Sequence, residues 1–176
     1  PDLPADLHGR SQNGDIYYRQ HQVNQHYFHT EADHPQPQTF AAGIDFIRQN
    51  HDQDNWFLHI ETFDPHEPFT TPEVYKGRYP DDYAGLDFDW PRYRPVTEDN
   101  DAIQHIRNHY AALVTMCDTY LGKLLDEMDR LNLWDDTMLI VNTDHGFLLS
   151  EHDWWGKVKM PFYNEVAQIP LFIYDP

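Results

Sequence analysis

The amino-acid sequence predicts an α/β fold in which a mostly parallel β-sheet is flanked by helices. Apolar residues recur at intervals of three and four along residues 101–131, the pattern of a long amphipathic helix. Short apolar runs at 137–143 and 169–174 follow that helix and have the composition of buried strands. A third aromatic run precedes it at 55–63. Strands that alternate with helices are typical of a parallel sheet with crossover connections.

Composition limits the classes of protein to which the chain can belong. With 176 residues, of which 40% are apolar, it suits one domain with a real core. The formal net charge of −18 disfavours binding to nucleic acid or to anionic membranes, so neither is predicted as a partner. No apolar stretch approaches the ~18 residues of a membrane-spanning helix. Cys117 is the single cysteine, which excludes an internal disulfide, and its place on a helical apolar face predicts a small core residue.

The first half of the chain predicts one helix and one strand. Residues 1–38 are rich in Gln, His, Asn and Pro, and we expect them to be irregular with exposed histidines. Thr39 is a suitable N-cap for a helix that runs to about Asn50. The aromatic, β-rich run 55–63 predicts a strand that ends at an Asp-Pro pair. Residues 64–100 then form a long loop, and loops of such length are usually functional.

The second half predicts the helix 101–131 and two strands. Asp99 and Asp101 suit the positive end of the helix. The strand at 137–143 is a nearly continuous apolar run, as expected of a buried parallel strand. Pro170 is compatible with the last strand, because the first residue of a strand need not donate to the ladder.

The apolar run 137–143 ends abruptly in Asp144, His145 and Gly146. Binding sites in open α/β sheets lie just beyond the carboxyl ends of the strands. A carboxylate and an imidazole are good ligands for a divalent cation, and glycine permits a sharp turn. The motif alone is weak, because a plain strand-to-loop turn would explain it more often than a metal site.

Two further residues are candidates for contact with an anion. His66 follows the run 55–63 and lies between two prolines, which stiffen the loop and fix where its ring points. A histidine held in this way can bind an anion or transfer a proton, although a rigid turn with a surface histidine is an equal alternative. Lys157 lies beside a tryptophan and a glycine and suits an anion clamp, and its alternative is an ordinary surface lysine.

Taken together these residues indicate an ester hydrolase. If the strands are parallel, their carboxyl ends meet at one edge of the sheet. A metal site, an imidazole and an ammonium group would then surround one tetrahedral anion. This arrangement suits cleavage of an ester at sulfur or phosphorus, where stabilising negative oxygens is most of the catalytic task.

Over residues 39–176, the order and spacing of these motifs resemble the sulfatase family of the alkaline phosphatase superfamily. The resemblance implies a partial alkaline-phosphatase-like fold, with the chain (1–176) as the C-terminal portion of a sulfatase-type catalytic domain. Residues 1–38 match no part of the family pattern. The segments that carry the resemblance are Phe57–Phe69, Tyr120–Leu125, Thr137–Lys157 and Tyr163–Tyr174.

The resemblance implies a role for each candidate residue in the hydrolysis of a small sulfate ester. Asp144 and His145 would be ligands of a divalent metal, with Ca²⁺ expected and Mn²⁺ or Mg²⁺ as alternatives. His66 would contact the sulfate and assist protonation of the leaving group. Lys157 would neutralise a sulfate oxygen and the leaving oxygen. Many members carry Asn in place of His145, and a histidine there also occurs in related phosphonate and phosphodiester hydrolases, so a phosphorylated ester is the alternative substrate.

The sequence departs from the family pattern in what it lacks. The Cys- or Ser-x-Pro-x-Arg motif that yields the formylglycine nucleophile is absent, and so are two further acidic metal ligands. Cys117 is followed by Asp-Thr-Tyr and does not fit that motif. In the family both elements normally precede the segment matched here. We therefore expect formylglycine, and any export signal, to lie in an N-terminal part of the protein that carries this chain. We also expect this chain alone to be inactive. A non-catalytic acidic α/β module is a further alternative. The oligomeric state does not follow from the sequence, and a cytoplasmic location is the default expectation.

Overall fold

The computed structural model describes residues 15–85 and 88–176. Short 3₁₀ turns lie at Glu31–Asp33, Leu133–Asp135 and Glu151–Asp153. The helices are α1 (Asp15–Gln25), α2 (Pro35–Asn50), α3 (Glu73–Lys76), α4 (Asn100–Leu131) and α5 (Asn164–Ala167), and the strands are β1 (Leu139–Asn142), β2 (Leu148–Leu149), β3 (Trp155–Gly156) and β4 (Leu171–Tyr174).

Helix α4 is the centre of the fold, and it confirms the helix predicted at 101–131. The Asp99 side chain caps it by accepting a hydrogen bond from the Ala102 backbone N–H at 2.9 Å. Asn132 ends it in the left-handed conformation, with φ of 55°. Its apolar face supplies the middle of the core, against which α2 and α3 pack. The fully buried side chains of that face are Ile106, Ala112, Leu113 and Met116.

Helix α2 ends at Asn50 as predicted but begins at Pro35, four residues before Thr39. Prolines are tolerated in the first helical turn, because the N–H groups there have no partner within the helix. The prediction that residues 1–38 are irregular is therefore wrong for α1 and for the first turn of α2, and residues 1–14 lie outside the described part. In α1, Gln25 donates a hydrogen bond to the Thr70 hydroxyl at 2.8 Å, so a tertiary contact holds a helix with little apolar periodicity of its own.

The segment 55–63 is extended but is not part of a β-ladder within the described residues, so the predicted strand is wrong as a paired strand. Its side chains do alternate as a strand requires. Leu58 and Ile60 pack against the core, whereas Phe57 and Phe63 are 86% and 63% exposed. Packing of the inner face fixes the extended backbone, and pairing would need a neighbouring strand that the described residues do not provide.

The strand pairs formed by the described residues are antiparallel. The parallel pairing predicted from the sequence is therefore wrong for these strands. β1 pairs with β4 in the register that joins Leu139 to Tyr174 and Asn142 to Leu171. β2 and β3 form a short hairpin. A parallel pair needs a crossover of a dozen or more residues, usually a long helix. The connection from β1 to β4 instead holds the hairpin and the single-turn helix α5, and the chain enters β4 in the opposite direction.

Cys117 behaves as the sequence predicts. Burial, followed by the charge of Asp64, raises the pKa of its thiol to about 12, so it is a packed thiol and not a nucleophile. Among the helices in the described part of the chain, none has both the length and the apolar character needed to cross a bilayer.

Candidate active site

The turn that follows the extended segment 55–63 presents His66. Its backbone N–H donates to the Phe63 carbonyl at 3.0 Å, and the two rings lie with their centroids 4.2 Å apart. The imidazole Nδ1–H donates to the backbone carbonyl of Glu67 at 2.6 Å. This contact assigns the proton to Nδ1, and the lone pair of Nε2 therefore points away from the turn.

Lys157 reaches His66 from the other side of the site. The Nζ of Lys157 donates to Nε2 of His66 at 2.7 Å, although the two residues are 91 positions apart in the sequence. The Lys157 side chain is only 9% exposed. His66 and Lys157 were predicted separately as residues that contact an anion, and the fold brings them into direct contact.

Glu67 is a site residue that sequence analysis missed. It is 2% exposed, and its carboxylate lies 3.4 Å from Nζ of Lys157 and 3.3 Å from Nδ1 of His66. The Tyr93 hydroxyl donates a hydrogen bond to the same carboxylate. Burial, together with this hydrogen bond and the negative charge of Glu67, raises the pKa of Tyr93 well above its usual range. Glu67 is therefore the buried counter-charge that holds Lys157 against His66.

The hairpin that carries Lys157 is braced by a charged contact from the long loop. The Trp155 ring is fully buried, and its Nε1–H donates to the Glu98 carboxylate at 2.9 Å. Arg94 pairs with the same carboxylate. Since Arg94 is engaged in this contact, its charge serves to position β3 just before Lys157.

Asp144, His145 and Gly146 follow β1, as expected. The Gly146 backbone N–H donates to the Val166 carbonyl at 2.9 Å. A Cβ at Gly146 would lie 1.9 Å from the Glu165 carbonyl oxygen, so no other residue fits without a shift of the backbone. The glycine therefore allows this loop to pack directly on α5, which is a different reason from the sharp turn that the sequence suggested.

Asp144 and His145 form a second pair of functional groups. The Asp144 carboxylate is 83% exposed and accepts a hydrogen bond from the His145 backbone N–H at 2.9 Å. Partial desolvation raises the pKa of Asp144, but the charges of His145 and Lys157 and the backbone hydrogen bonds outweigh it, and the pKa lies below its usual value. The Nδ1–H of His145 donates to the Gly146 carbonyl at 3.0 Å, which leaves Nε2 as the metal-binding atom.

This pair fits part of the ligand shell of a divalent cation. Nε2 of His145 lies 3.5 Å from Oδ2 of Asp144. Two ligands at 2.4 Å on neighbouring positions of an octahedral ion are separated by about 3.4 Å. An ionised carboxylate beside an imidazole also has the right chemistry for such an ion. The described residues contain no group of three or more metal-binding side chains, so Asp144 and His145 alone could supply only part of such a ligand shell.

Comparison with known proteins shows which family the chain is similar to. A family model described as Sulfatase matches residues 9–176, so the match begins earlier than the resemblance over 39–176 indicated. An arylsulfatase of Clostridium perfringens is 26% identical over 81% of this chain and 32% of its own length. A choline-sulfatase of Rhizobium meliloti is 30% identical over 73% of this chain and 28% of its own length.

A solved structure shows the same fold. The phosphonate monoester hydrolase of Agrobacterium radiobacter superposes with a TM-score of 0.67 at 22% identity, over 84% of this chain and 34% of that protein. The predicted fold class, a partial alkaline-phosphatase-like α/β fold, is confirmed. The chain spans about a third of the length of the proteins it matches.

Proposed function

This chain belongs to the sulfatase family, and from that premise we propose that the protein carrying it is a metal-dependent hydrolase of small sulfate esters. The observation that supports this most directly is the contact between Nζ of Lys157 and Nε2 of His66 at 2.7 Å. A cation and an imidazole in contact, near a carboxylate-imidazole pair, form a receptor for a tetrahedral anion. The enzymes named above as relatives, an arylsulfatase and a choline-sulfatase, agree with a sulfate ester as substrate.

In this proposal, Lys157 and His66 act on the leaving group. The ammonium group of Lys157 pairs with a sulfate oxygen and with the oxygen that leaves. When the bond between sulfur and the alcohol oxygen breaks, the electron pair stays on that oxygen. The ammonium group of Lys157 gives one of its protons to that oxygen, and His66 assists because its Nε2 accepts a hydrogen bond from Nζ and orients the ammonium group. Glu67 is a positioning residue, because it holds both groups without contacting the substrate.

Asp144 and His145 would hold the metal ion, for which we propose Ca²⁺, with Mn²⁺ and Mg²⁺ as alternatives. The lowered pKa of Asp144 favours the ionised carboxylate, which is the form that binds a metal ion. When bound, the ion would activate the nucleophile and polarise the ester. We propose formylglycine as that nucleophile, which no Cys- or Ser-x-Pro-x-Arg motif in this sequence supplies.

The experiment measures hydrolysis of an aryl sulfate by the protein that carries this chain. We expect His66→Ala and Lys157→Ala to lower kcat at least about a hundredfold, since each removes a group that acts on developing charge. Lys159→Ala is the matched control, because Lys159 is an exposed lysine two residues away. Turnover that is unchanged in both site variants would refute the assignment.

A phosphodiester or phosphonate monoester is the second candidate substrate, and His145 is the observation that favours it. The family resemblance implies that a histidine at this position also occurs in related phosphonate and phosphodiester hydrolases. Comparing kcat/KM for an aryl sulfate with that for the matching aryl phosphodiester decides between them. A clear preference for the phosphodiester would replace the sulfate ester in this proposal.

The remaining expectations stay predictions. These are the absence of nucleic-acid and membrane partners, a cytoplasmic location, the inactivity of the chain alone, and its description as one part of a catalytic domain. The net charge of −18 supports the first of them.

A further inference from the structure

A second cluster of ligating side chains lies on α4 and shares no residue with the candidate active site. His105 and His109 are one helical turn apart, and their Nε2 atoms are 3.1 Å from each other. The rings are nearly perpendicular, with centroids 4.5 Å apart. Two imidazole nitrogens that face each other at this distance are a common arrangement for chelation of a metal by a helix, because residues four apart lie on one face.

Asp81 orients His105. Its Oδ2 lies 3.0 Å from Nδ1 of His105 and accepts a second hydrogen bond from the Asn108 side chain at 2.9 Å. The backbone N–H of Tyr83 donates to the other oxygen at 3.2 Å. With Nδ1–H of His105 donating to this carboxylate, Nε2 of His105 presents its lone pair towards His109. A carboxylate on the far nitrogen of a ligating histidine is the usual second partner in histidine metal sites.

The pair opens onto a small cavity. His109 is 6% exposed, and the side chains of His105 and Asp81 are 14% and 18% exposed. The cavity has a volume of about 210 Å³, enough for several water molecules. Among the residues that line the cavity, the one lysine or arginine is Lys76, whose Nζ lies 3.4 Å from Oε1 of Glu73. The residues that line it are Glu73, Lys76, Tyr79, Asp81, His105, Asn108 and His109.

We propose that His105 and His109 chelate a divalent transition-metal ion, such as Zn²⁺, through their Nε2 atoms. Two imidazole nitrogens bound to a tetrahedral zinc are about 3.3 Å apart, close to the separation already present. For both Nε2 atoms to bind the ion, the ring proton of His109 must lie on Nδ1 and not on Nε2. Water molecules in the cavity complete the coordination.

The chemistry of the two histidines separates this site from the candidate active site. Imidazole ligands prefer Zn²⁺, Ni²⁺ and Cu²⁺, whereas Ca²⁺ and Mg²⁺ prefer oxygen ligands. The described residues form no group of three or more protein ligands here, so the ion is held by two side chains and keeps exchangeable positions. Such a site suits an ion that is acquired and released, and millimolar Ca²⁺ does not compete for it.

Isothermal titration of the chain with ZnCl₂, in the presence of excess CaCl₂, tests the proposal. The variant that carries both Asp144→Ala and His145→Ala is the reference, because it lacks the ligands of the candidate active site. In that background we expect one Zn²⁺ per chain, and His105→Gln weakens binding at least tenfold. Asp81→Asn, which keeps both ligands but loses the orienting charge, weakens it by about 10- to 100-fold. His51→Gln is the control, since His51 is exposed and lies outside the cluster.

Three results would overturn the proposal. They are the absence of Zn²⁺ binding in the reference variant, an affinity that His105→Gln leaves unchanged, and an affinity that Asp81→Asn leaves unchanged. Near-ultraviolet circular dichroism checks that each variant is folded. If His105→Gln does not fold, the result for Asp81→Asn decides alone, because Asp81 lies on the cavity wall outside the helical core.

Discussion

At the scale of single residues, Glu67 is the member of the candidate site that is hardest to predict from the sequence. A glutamate between a histidine and a proline suggests an exposed loop residue, yet it is almost fully buried against Lys157, His66 and Tyr93. His66, Lys157, Asp144 and His145 were predictable because strand ends, flanking prolines and a turn glycine mark them in the sequence. Glu67 and Tyr93 matter through contacts between distant segments, which no local pattern records.

Replacing Glu67 by glutamine tests its role as a positioning residue. The change keeps the shape of the side chain but leaves the buried ammonium group of Lys157 without its counter-charge. We expect kcat for an aryl sulfate to fall about 10- to 100-fold with a smaller change in KM, and the free energy of unfolding to fall by about 1–3 kcal/mol. Tyr93→Phe should lower kcat and the free energy of unfolding by less than Glu67→Gln, because it removes one hydrogen-bond donor and no charge.

Glu61→Gln serves as the control for the Glu67 variant, since Glu61 is an exposed acid in the same segment. A Glu67→Gln protein with the activity and stability of Glu61→Gln would show that the buried carboxylate does not position Lys157.

Asp64 makes the free energy of unfolding fall as the pH rises, whereas most acidic side chains in folded proteins make it rise. Burial raises the pKa of Asp64 from 3.8 to about 6. The folded state therefore binds a proton more readily than the unfolded state between pH 4 and 6. The contribution of Asp64 is most favourable below pH 4 and is lost as the pH rises through about 6.

Asp64→Asn should abolish this dependence and stabilise the protein at pH 7 by about 2 kcal/mol, after allowance for residual contact with solvent. Urea unfolding of the wild type and the variant at pH 4.5 and at pH 7 measures both effects. Asp54→Asn, at an exposed position, is the control. Equal stabilities of the wild type and the Asp64 variant at both pH values would contradict the argument.

At the scale of elements, the segment from β1 to α5 shows how local packing sets the position of Asp144 and His145, the proposed metal ligands. Asp144 and His145 lie in a loop that is held on α5 through Gly146 and the Val166 carbonyl. The sequence marks the end of β1 clearly, because the apolar run stops there. It does not show that α5 lies directly against the glycine, since that contact joins residues about 20 positions apart.

Gly146→Ala should therefore move the loop. Its Cβ would collide with the Glu165 carbonyl, and we expect a loss of about 2–3 kcal/mol in the free energy of unfolding and weaker binding of the metal at Asp144 and His145. Gly122→Ala is the matched control, because a Cβ at Gly122 in α4 meets nothing within 4 Å. That control should be stabilising by about 0.5–1 kcal/mol, as expected in a helix interior. Thermal unfolding and calcium titration measure both effects.

The elements differ in how far local sequence predicts them. Helix α4 was predictable nearly to the residue, because a long amphipathic pattern and an Asp cap are local signals. Helix α1 and the unpaired segment 55–63 were not predictable, because tertiary contacts determine their conformations. Helix α1 contacts Thr70, and the segment 55–63 packs on the core beneath it. The direction of β4 relative to β1 was also beyond prediction, since it depends on what the connection contains.

At the scale of the whole molecule, two properties of the surface oppose each other. The net charge of −18 keeps chains apart at low salt. The two-stranded sheet of β1 and β4 nevertheless exposes apolar side chains on both of its faces. Its most exposed members are Ile140 at 53%, Leu171 at 60%, Phe172 at 67% and Ile173 at 59%. Exposed apolar strands favour association, and net charge is the principal force against it here.

Salt should therefore shift the balance towards association. Raising the ionic strength from 0.01 M to 0.5 M shortens the Debye length from about 30 Å to a few ångströms, which screens the repulsion but leaves the apolar surface unchanged. We expect the chain to self-associate as salt increases, and Phe172→Lys to weaken that association at least tenfold. Val158→Lys adds the same charge at an apolar position that is 68% exposed but lies outside the sheet, and it should have a smaller effect. Sedimentation equilibrium at both ionic strengths measures the difference. If the two lysine variants behave alike, added charge explains the result and the sheet is not the associating surface.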